Sequence, residues 1–259
     1  MKLAGSVAVI TGGARGIGLA IGQWFLARGH RIALIDIDQQ TLERTVAAFD
    51  NPRDVLGVHA DVSDPGQVHD AFATIEARFG RIDALVNSAY VPGQFGPVES
   101  ADLDDWRGIL EVNLFGTLQL TRAVIPVMKK QGGGAIVMIS SMVTRKPMPH
   151  QGGYMMSKAA LTGATAQLAL ELGRYGIRVN TAYMGWMWGP PVEGYLRAAA
   201  AQQGTTVEAL AKGVAQSIPL GRIPDDADCA KAALFLASDY ACAVTGAALD
   251  VNGGEFLPR

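Results

Sequence analysis

The chain has 259 residues, of which 49% are hydrophobic and 18% charged, and its formal net charge at pH 7 is -2. A chain of this length can bury a sizeable core, and its near-neutral charge gives no electrostatic basis for binding nucleic acid or an anionic membrane surface. No apolar run approaches the ~20 residues needed to cross a bilayer.

The cysteines and histidines also limit the possible sites and locations. The two cysteines form no metal-ligand pattern and the four histidines lie far apart, so we expect no metal site. The N-terminal residues run directly into the first predicted strand, which leaves no room for a signal peptide. We therefore expect a cytoplasmic protein.

Short apolar runs alternate with helical patterns along the whole chain. The predicted strands cover residues 7–10, 31–36, 55–59, 84–87, 134–139, 178–182 and 248–251. The predicted helices begin after the first strand and then cover about residues 38–49, 65–79, 102–111, 114–130, 153–174 and 227–236. This alternation predicts the α/β class, with a Rossmann-type doubly wound parallel sheet and helices on both faces. We expect residues 1–259 to form one dinucleotide-binding catalytic domain.

Residues 185–217 interrupt this regular alternation. The segment is rich in Trp, Met, Pro and Ala and shows no clear strand or helix pattern. Long irregular excursions in compact domains are usually functional. We therefore predict a lid insertion after the sixth strand.

A glycine-rich turn joins the first strand to the first helix. Gly12, Gly16 and Gly18 allow a tight turn and a close approach of the backbone to a bound group. The N-terminus of the helix offers free N–H groups and a partial positive charge to a pyrophosphate. An ordinary glycine-rich turn remains the alternative for this motif taken alone.

Asp36 ends the second predicted strand. A carboxylate here can accept hydrogen bonds from the ribose hydroxyls of an adenosine and repels a 2′-phosphate. The residues that follow, Ile37 and Asp38, are not basic. The pattern therefore favours NAD over NADP, and the alternative is that Asp36 only caps the next turn.

Four residues suggest acid–base chemistry. Tyr154 and Lys158 are four residues apart on a predicted helix, so they share a face about 5–6 Å apart. A phenol titrates near ~10, and a neighbouring ammonium lowers that pKa. Ser141 follows the fifth strand, where its hydroxyl can bind a substrate oxygen, and Asn113 lies between two helices, where it can break the helix and hold a relay water. Singly, each has an ordinary alternative as a surface pair, a strand-end cap or a helix boundary.

In combination, these residues make the chain similar to the short-chain dehydrogenase/reductase family over essentially its full length. The matching residues are Thr11-Gly12-x-x-x-Gly16-x-Gly18, Asp61-Val62, Asn87-x-Ala89, Asn113, Ser141, Tyr154-x-x-x-Lys158, Gly185 and Asp250-Val251-Asn252-Gly253-Gly254. The resemblance implies hydride transfer between a nicotinamide and a secondary alcohol or ketone. It implies that Tyr154 is the general acid/base and that Ser141 polarises the substrate carbonyl. It also implies that Lys158 lowers the pKa of Tyr154 and holds the nicotinamide ribose, and that Asn113 anchors the relay water.

The resemblance implies NAD as the cofactor and a set of residues that hold it. Asp61 would contact the adenine, and Asn87 would support the cofactor-binding strand. The whole set is Gly12, Arg15, Gly16, Ile17, Gly18, Asp36, Ile37, Asp61, Val62, Asn87, Ala89, Tyr154, Lys158, Gly185 and Met187.

The chain departs from the family pattern at three positions. Tyr90 stands where a glycine usually follows the fourth strand, Met184 replaces a proline, and Gly189 replaces a threonine that often holds the nicotinamide carboxamide. We expect Tyr90 to line the substrate pocket or to shift the nicotinamide, and the carboxamide contact to rest on backbone near Met187.

The predicted substrate pocket is mainly aromatic and aliphatic. Large apolar and adaptable side chains favour a bulky, mainly apolar secondary alcohol or ketone. The residues assigned to it are Tyr90, Ser141, Met142, Val143, Met148, Trp186, Trp188 and Tyr195. Several of these have the alternative of being lid core. Arg145, Lys146 and His150 follow Ser141 and either meet an acidic substrate or remain solvated loop charges.

Several alternative functions remain open. The Gly185-Trp186 region is similar to hydroxybutyrate dehydrogenases, but these carry histidine and lysine where this chain has Val143 and Gln151. A 3-oxoacyl-carrier-protein reductase could dock through Lys129 and Lys130, although Asp36 argues against it. A non-catalytic NAD-sensing regulatory protein would typically lack Tyr154 or Lys158, and enoyl reductases space these two residues more widely.

The sequence also predicts self-association. Ala159, Gly163, Ala166 and Leu170 run down one face of the long predicted helix. Small residues permit close approach of a second helix, and related proteins pair their protomers through this helix. We expect a homotetramer that acts on a small-molecule substrate, with close packing inside the monomer as the alternative.

Overall fold

Seven parallel strands form one sheet in the computed structural model, which describes residues 5–258. The strands are β1 (Val7–Thr11), β2 (Arg31–Asp36), β3 (Val55–His59), β4 (Ala84–Asn87), β5 (Gly134–Ser141), β6 (Ile177–Met184) and β7 (Ala248–Val251). Their order across the sheet is β3-β2-β1-β4-β5-β6-β7, with every neighbouring pair parallel. The predicted doubly wound sheet is confirmed. Residues 1–4, on which the expectation about a signal peptide rests, lie outside the described residues.

Helices occupy the connections between the strands. They are α1 (Gly16–Ala27), α2 (Gln39–Ala47), α3 (Pro65–Phe79), α4 (Leu103–Leu110), α5 (Thr117–Gln131), α6 (Gly152–Leu172), α7 (Pro190–Gln203), α8 (Val207–Gln216) and α9 (Asp226–Ala237). Within residues 5–258, none of these helices is long and apolar enough to cross a membrane.

Both faces of the sheet are buried, which explains why its strands are continuous apolar runs. In β1, Val7 and Val9 belong to one core cluster, while Ala8 and Ile10 belong to the other. The first cluster includes residues of α3, α5 and α6, and the second includes residues of α1, α2 and α9. The helices therefore cover the sheet from both sides.

The strand order reverses between β1 and β4. The chain builds β2 and β3 on one side of β1 and then returns to build β4 on the other side. In open α/β sheets, ligands bind at the carboxyl ends of the strands beside such a reversal. The glycine turn follows β1 and the loop 88–97 follows β4, so both lie where a ligand is expected.

Two segments differ in detail from the sequence expectation. The predicted lid, residues 185–217, is not irregular throughout, because it contains α7 and α8. Alanine is a strong helix former, and the side chain of Thr206 caps α8 by accepting a hydrogen bond from the Ala209 N–H. The helix expected from residue 114 instead begins at Thr117, after a π-helical turn, Glu111–Gly116. That turn contains Asn113, so the predicted local break is confirmed.

Candidate active site

A cavity of about 480 Å³ opens at the carboxyl ends of the central strands. We call it the cofactor groove, because nearly all residues assigned to the cofactor line it. These are Gly12, Arg15, Gly16, Ile17, Gly18, Asp36, Ile37, Asp61, Val62, Ala89, Tyr154, Lys158, Gly185 and Met187.

The floor of the groove is a closely packed glycine turn. Gly12 has a φ of +62°, and a Cβ at this position would lie 3.0 Å from the Cα of Ala89. A Cβ at Gly18 would lie 2.1 Å from the carbonyl oxygen of Gly12. The turn therefore tolerates no side chain at Gly18, and its backbone is open to a bound group, as a dinucleotide requires.

Asp36, the last residue of β2, is held by backbone N–H groups at the groove. Its two carboxylate oxygens accept hydrogen bonds from the N–H groups of Ala14 and Asp38, each at 3.0 Å. It thus caps the following turn and also lines the groove. Arg15, the nearby cation, pairs with Asp38 at 3.6 Å.

Asp61 and Asn87 occupy different places. Asp61 lines the groove, and its Oδ1 accepts hydrogen bonds from both the N–H and the hydroxyl of Ser63. Asn87 does not line the groove. Its Nδ2 lies 3.4 Å from the hydroxyl oxygen of Thr121 and 3.3 Å from the sulfur of Met138. Asn87 is therefore buried behind the groove, in the supporting position that the resemblance implied.

A second cavity of about 330 Å³ adjoins the groove, and we call it the substrate cavity. Seven of the eight predicted substrate residues line it: Tyr90, Ser141, Met142, Val143, Met148, Trp186 and Tyr195. Trp188 does not, contrary to the prediction. Its backbone hydrogen-bonds to Pro224 and Asp226, which ties it to the start of α9 instead.

Several residues of the substrate cavity have no counterpart in the sequence prediction. Phe95 lines it from the loop after β4, and Pro191 and Val192 line it from the first turn of α7. The signal available for Phe95 was a single aromatic residue in a stretch rich in glycine and proline. No periodic pattern marks such a position.

Two of the residues predicted to be catalytic lie where the two cavities meet. Ser141 is the last residue of β5, and both Ser141 and Tyr154 line both cavities. The side chains of Ser141 and Tyr154 are hydrogen-bonded to each other. Lys158, one helical turn further along α6, is 2% exposed and donates a hydrogen bond from Nζ to the carbonyl oxygen of Ile139 at 2.8 Å.

Burial dominates the protonation of this pair. It raises the pKa of Tyr154 well above the ordinary phenol value, nearby Tyr90 raises it further, and the hydrogen bond from Ser141 lowers it. Burial also lowers the pKa of Lys158 to about 7. The expected lowering of the Tyr154 pKa by Lys158 is therefore not seen in this arrangement. At neutral pH the phenol is protonated and can act as an acid.

Asn113 holds the loop after β4 in place. Its side-chain oxygen accepts a hydrogen bond from the Val91 N–H at 2.8 Å, and its Nδ2 donates to the Val91 carbonyl and to the Ser157 hydroxyl, each at 3.0 Å. Asn113 is fully buried and lines neither cavity. Its side chain therefore positions the site rather than facing the substrate.

Two charged residues that follow Ser141 form ion pairs with the C-terminal segment. Arg145 lies 3.4 Å from Asp250, and Lys146 lies 2.8 Å from Glu255. Both pairs tie the loop after β5 to the C-terminal segment. Both side chains remain partly exposed, 29% for Arg145 and 51% for Lys146, and neither these two residues nor His150 lines the substrate cavity.

Comparison with known proteins agrees with this geometry. A family model described as enoyl-(acyl carrier protein) reductase matches residues 12–255. A D-threitol dehydrogenase of Mycolicibacterium smegmatis is 38% identical over 254 residues, which cover 98% of this chain and 94% of that protein. The crystal structure of an NAD+-bound xylitol dehydrogenase superposes with a TM-score of 0.90 at 30% identity and covers 98% of this chain and 100% of its own. That of a levodione reductase also reaches 0.90, at 32% identity, over 97% of this chain and 98% of its own.

The matches extend over almost the whole chain, including the glycine turn, the residues predicted to be catalytic and the C-terminal strand. The relatives and solved structures named above are dehydrogenases and reductases. The chain therefore belongs to the short-chain dehydrogenase/reductase family and is an oxidoreductase that acts on alcohol and ketone groups.

Proposed function

We propose that this protein is an NAD-preferring enzyme that interconverts a bulky, mainly apolar secondary alcohol and its ketone. The observation that carries the proposal is the position of Ser141 and Tyr154. Both line the cofactor groove and the mainly apolar substrate cavity, so one oxygen of a substrate can reach both hydroxyls. No other place among the described residues combines these features with a glycine turn.

The residues of this junction divide the chemistry between them. A bound nicotinamide supplies or accepts the hydride. During ketone reduction, Ser141 donates a hydrogen bond to the substrate oxygen, and Tyr154 transfers its proton to that oxygen. The raised pKa of Tyr154 keeps that proton on the phenol until the oxygen becomes basic. Lys158 lies one helical turn after Tyr154 on the same face of α6. The hydrogen bond from its Nζ to the carbonyl of Ile139 holds the amine where it can contact the nicotinamide ribose.

Two carboxylates support a preference for NAD. Asp36 lines the adenosine end of the groove, and a 2′-phosphate beside it would meet a like charge, at a cost of about 1–3 kcal/mol. Arg15 is the cation best placed to offset that repulsion, but it already pairs with Asp38. The xylitol dehydrogenase structure that this chain resembles is also bound to NAD+.

The composition of the substrate cavity supports an apolar substrate. Met142, Val143, Met148, Trp186 and Tyr195 contribute large apolar surfaces, which favour ligands with an apolar body. The named relatives act on threitol, xylitol and levodione, so the family resemblance by itself does not choose between polyols and cyclic ketones. The lining side chains favour the second class.

The proposal is tested by steady-state kinetics with NADH and NADPH against aliphatic, cyclic and aromatic ketones. We expect kcat/KM to be higher with NADH and higher for cyclic or aromatic ketones than for short aliphatic ones. Asp36→Ala should lower the ratio of kcat/KM with NADH to kcat/KM with NADPH by about tenfold. A kcat/KM for NADPH equal to or above that for NADH would refute the cofactor preference, and activity with none of the ketones would refute the function.

We also propose that the protein works in the cytoplasm as a homotetramer. Ala159, Gly163, Ala166 and Leu170 are all exposed, and Leu170 is 80% exposed, so they do not pack inside the monomer. This apolar, small-residue face of α6 is suited to a second copy of the helix. Sedimentation that detects only a 27.3 kDa particle at micromolar concentration would contradict self-association.

A further inference from the structure

Tyr90 follows β4 on a backbone that is fixed on both sides. The hydroxyl oxygen of Thr11 accepts hydrogen bonds from the N–H groups of Ser88 and Ala89, each at 3.0 Å. On the other side, the amide of Asn113 pairs with both the N–H and the carbonyl of Val91. The position from which the Tyr90 ring projects is therefore set by the core of the fold.

The ring of Tyr90 lies directly beside the catalytic pair. Its centroid is 5.8 Å from that of Tyr154, and the Nζ of Lys158 lies 5.4 Å from it. Tyr90 lines both the cofactor groove and the substrate cavity, and 40% of the residue is exposed. The ring thus forms part of the wall at which the reacting oxygen must bind.

The hydroxyl of Tyr90 differs from the other polar groups of the junction. Tyr154 is hydrogen-bonded to Ser141, and Lys158 is hydrogen-bonded to Ile139. Within residues 5–258, the Tyr90 hydroxyl has no hydrogen-bond partner, although its ring packs against Tyr154. A phenol that borders a cavity in this way has a free donor available for a ligand.

We propose that Tyr90 is a specificity-determining residue whose hydroxyl binds a second oxygen of the substrate, on the carbon next to the reacting one. The preferred substrates are then vicinal hydroxyketones or diketones, and the corresponding vicinal diols, on an apolar body. This inference rests on the proposed function and refines its substrate class.

The rings of Tyr90 and Tyr154 lie next to each other, with centroids 5.8 Å apart, and Tyr154 is the residue that reaches the reacting oxygen. The proposal therefore places the second oxygen on the carbon next to the reacting one. Partial burial raises the pKa of Tyr90, so its hydroxyl remains a hydrogen-bond donor at neutral pH. Tyr90 transfers no proton in this arrangement, because the substrate's second oxygen does not change its bonding during the reaction.

The test compares three ketones that differ only in a hydroxyl group: 2-hydroxycyclohexanone, 4-hydroxycyclohexanone and cyclohexanone. Their kcat/KM values with NADH are measured for the wild type, for Tyr90→Phe, and for Tyr240→Phe as a matched control. Tyr240 is exposed and lines neither cavity. The Kd for NADH is measured in parallel, so that an effect on cofactor binding is separated from an effect on the ketone.

We expect Tyr90→Phe to lower kcat/KM for 2-hydroxycyclohexanone by about two- to tenfold, the loss of one hydrogen bond, with little change for the other two ketones. Tyr240→Phe should leave all three values as in the wild type. Equal losses for the three ketones would show a merely structural role, and no loss for any of them would show that the hydroxyl binds nothing. Either result would overturn the inference while leaving the proposed function intact. A wild type inactive on all three would overturn both.

Discussion

The cofactor groove and the substrate cavity are built in different ways. The groove is formed by strand ends and a glycine turn, and backbone N–H groups hold its Asp36 carboxylate in place. The substrate cavity is formed by side chains from loops after β4, β5 and β6 and from α7. A site that depends on backbone geometry, such as the glycine turn, can be recognised in the sequence as one short motif. The side chains that line the substrate cavity come from separate segments, which only the fold brings together.

The largest effect is expected where the two regions meet. Tyr154→Phe keeps the ring but removes the proton donor, so kcat should fall by about 10²–10⁴-fold. The Kd for NADH should change little, because the groove retains its glycine turn and Asp36. Steady-state kinetics and fluorescence titration with NADH measure the two quantities separately. A variant with near-normal kcat would show that another group transfers the proton.

Lys158 provides a test through stability. Its pKa is about 7 in the folded protein and about 10.4 in the unfolded chain. Below pH 7 both states carry the proton, and the folded state bears the full cost of a buried ammonium. Between these two pKa values only the unfolded chain binds the proton, so the stability of the wild type rises with pH.

Lys158→Met removes this titration. The free energy of unfolding of the variant should therefore exceed that of the wild type by most below pH 7. This difference between the two proteins should shrink by on the order of 2–4 kcal/mol by about pH 9.5. Urea denaturation of both proteins without NADH, at a pH below 7 and near 9.5, gives the comparison. A difference in free energy of unfolding that does not vary with pH would show that the pKa of Lys158 is not lowered by folding.

The groove should be more sensitive than a helix surface to a single methyl group. Gly18→Ala places a Cβ against the carbonyl of Gly12, so we expect the Kd for NADH to rise by about 10- to 100-fold. Gly108→Ala is the matched control, because a Cβ at Gly108 in α4 meets no atom within 4 Å. Isothermal titration of both variants with NADH checks the difference. Equal affinities in the two variants would contradict the packing at the turn.

The smallest effect should distinguish two neighbouring tryptophans. Trp186→Leu removes part of the wall of the substrate cavity, so the KM for a cyclic ketone should rise by about three- to tenfold. Trp188→Leu, outside that cavity, should change KM less. Measuring KM for the same ketone in both variants shows which of the two tryptophans contributes to substrate binding. A larger effect at Trp188 would restore the sequence prediction for that residue.

The sequence predicts the sheet well because the central strands β1, β2, β4, β5 and β6 are almost wholly buried and form continuous apolar runs. It also places Ser141, Tyr154 and Lys158 correctly at one junction, since two of them are one helical turn apart. It does not predict the helices of residues 185–217, whose composition mixes helix formers with proline and tryptophan.

Contacts between distant segments are the part that sequence patterns do not contain. Asn113 was assigned to a relay water, yet its amide is taken up by the backbone of Val91. For Arg145 and Lys146 the sequence leaves an acidic substrate and solvated loop charges as alternatives, and it does not predict their partners, Asp250 and Glu255, about a hundred residues later. None of these three pairings follows from periodicity or from a local motif, because each joins segments that are far apart in the sequence.

The central claim is that this site transfers a hydride between a nicotinamide and the carbonyl carbon of a ketone. It is tested most directly with NADH that carries deuterium at both C4 positions, incubated with the enzyme and a cyclic ketone that it reduces. Mass spectrometry of the alcohol should find one deuterium per molecule, bonded to the carbinol carbon. Oxidation of NADH that leaves the alcohol without deuterium, or that yields no alcohol, would contradict the account.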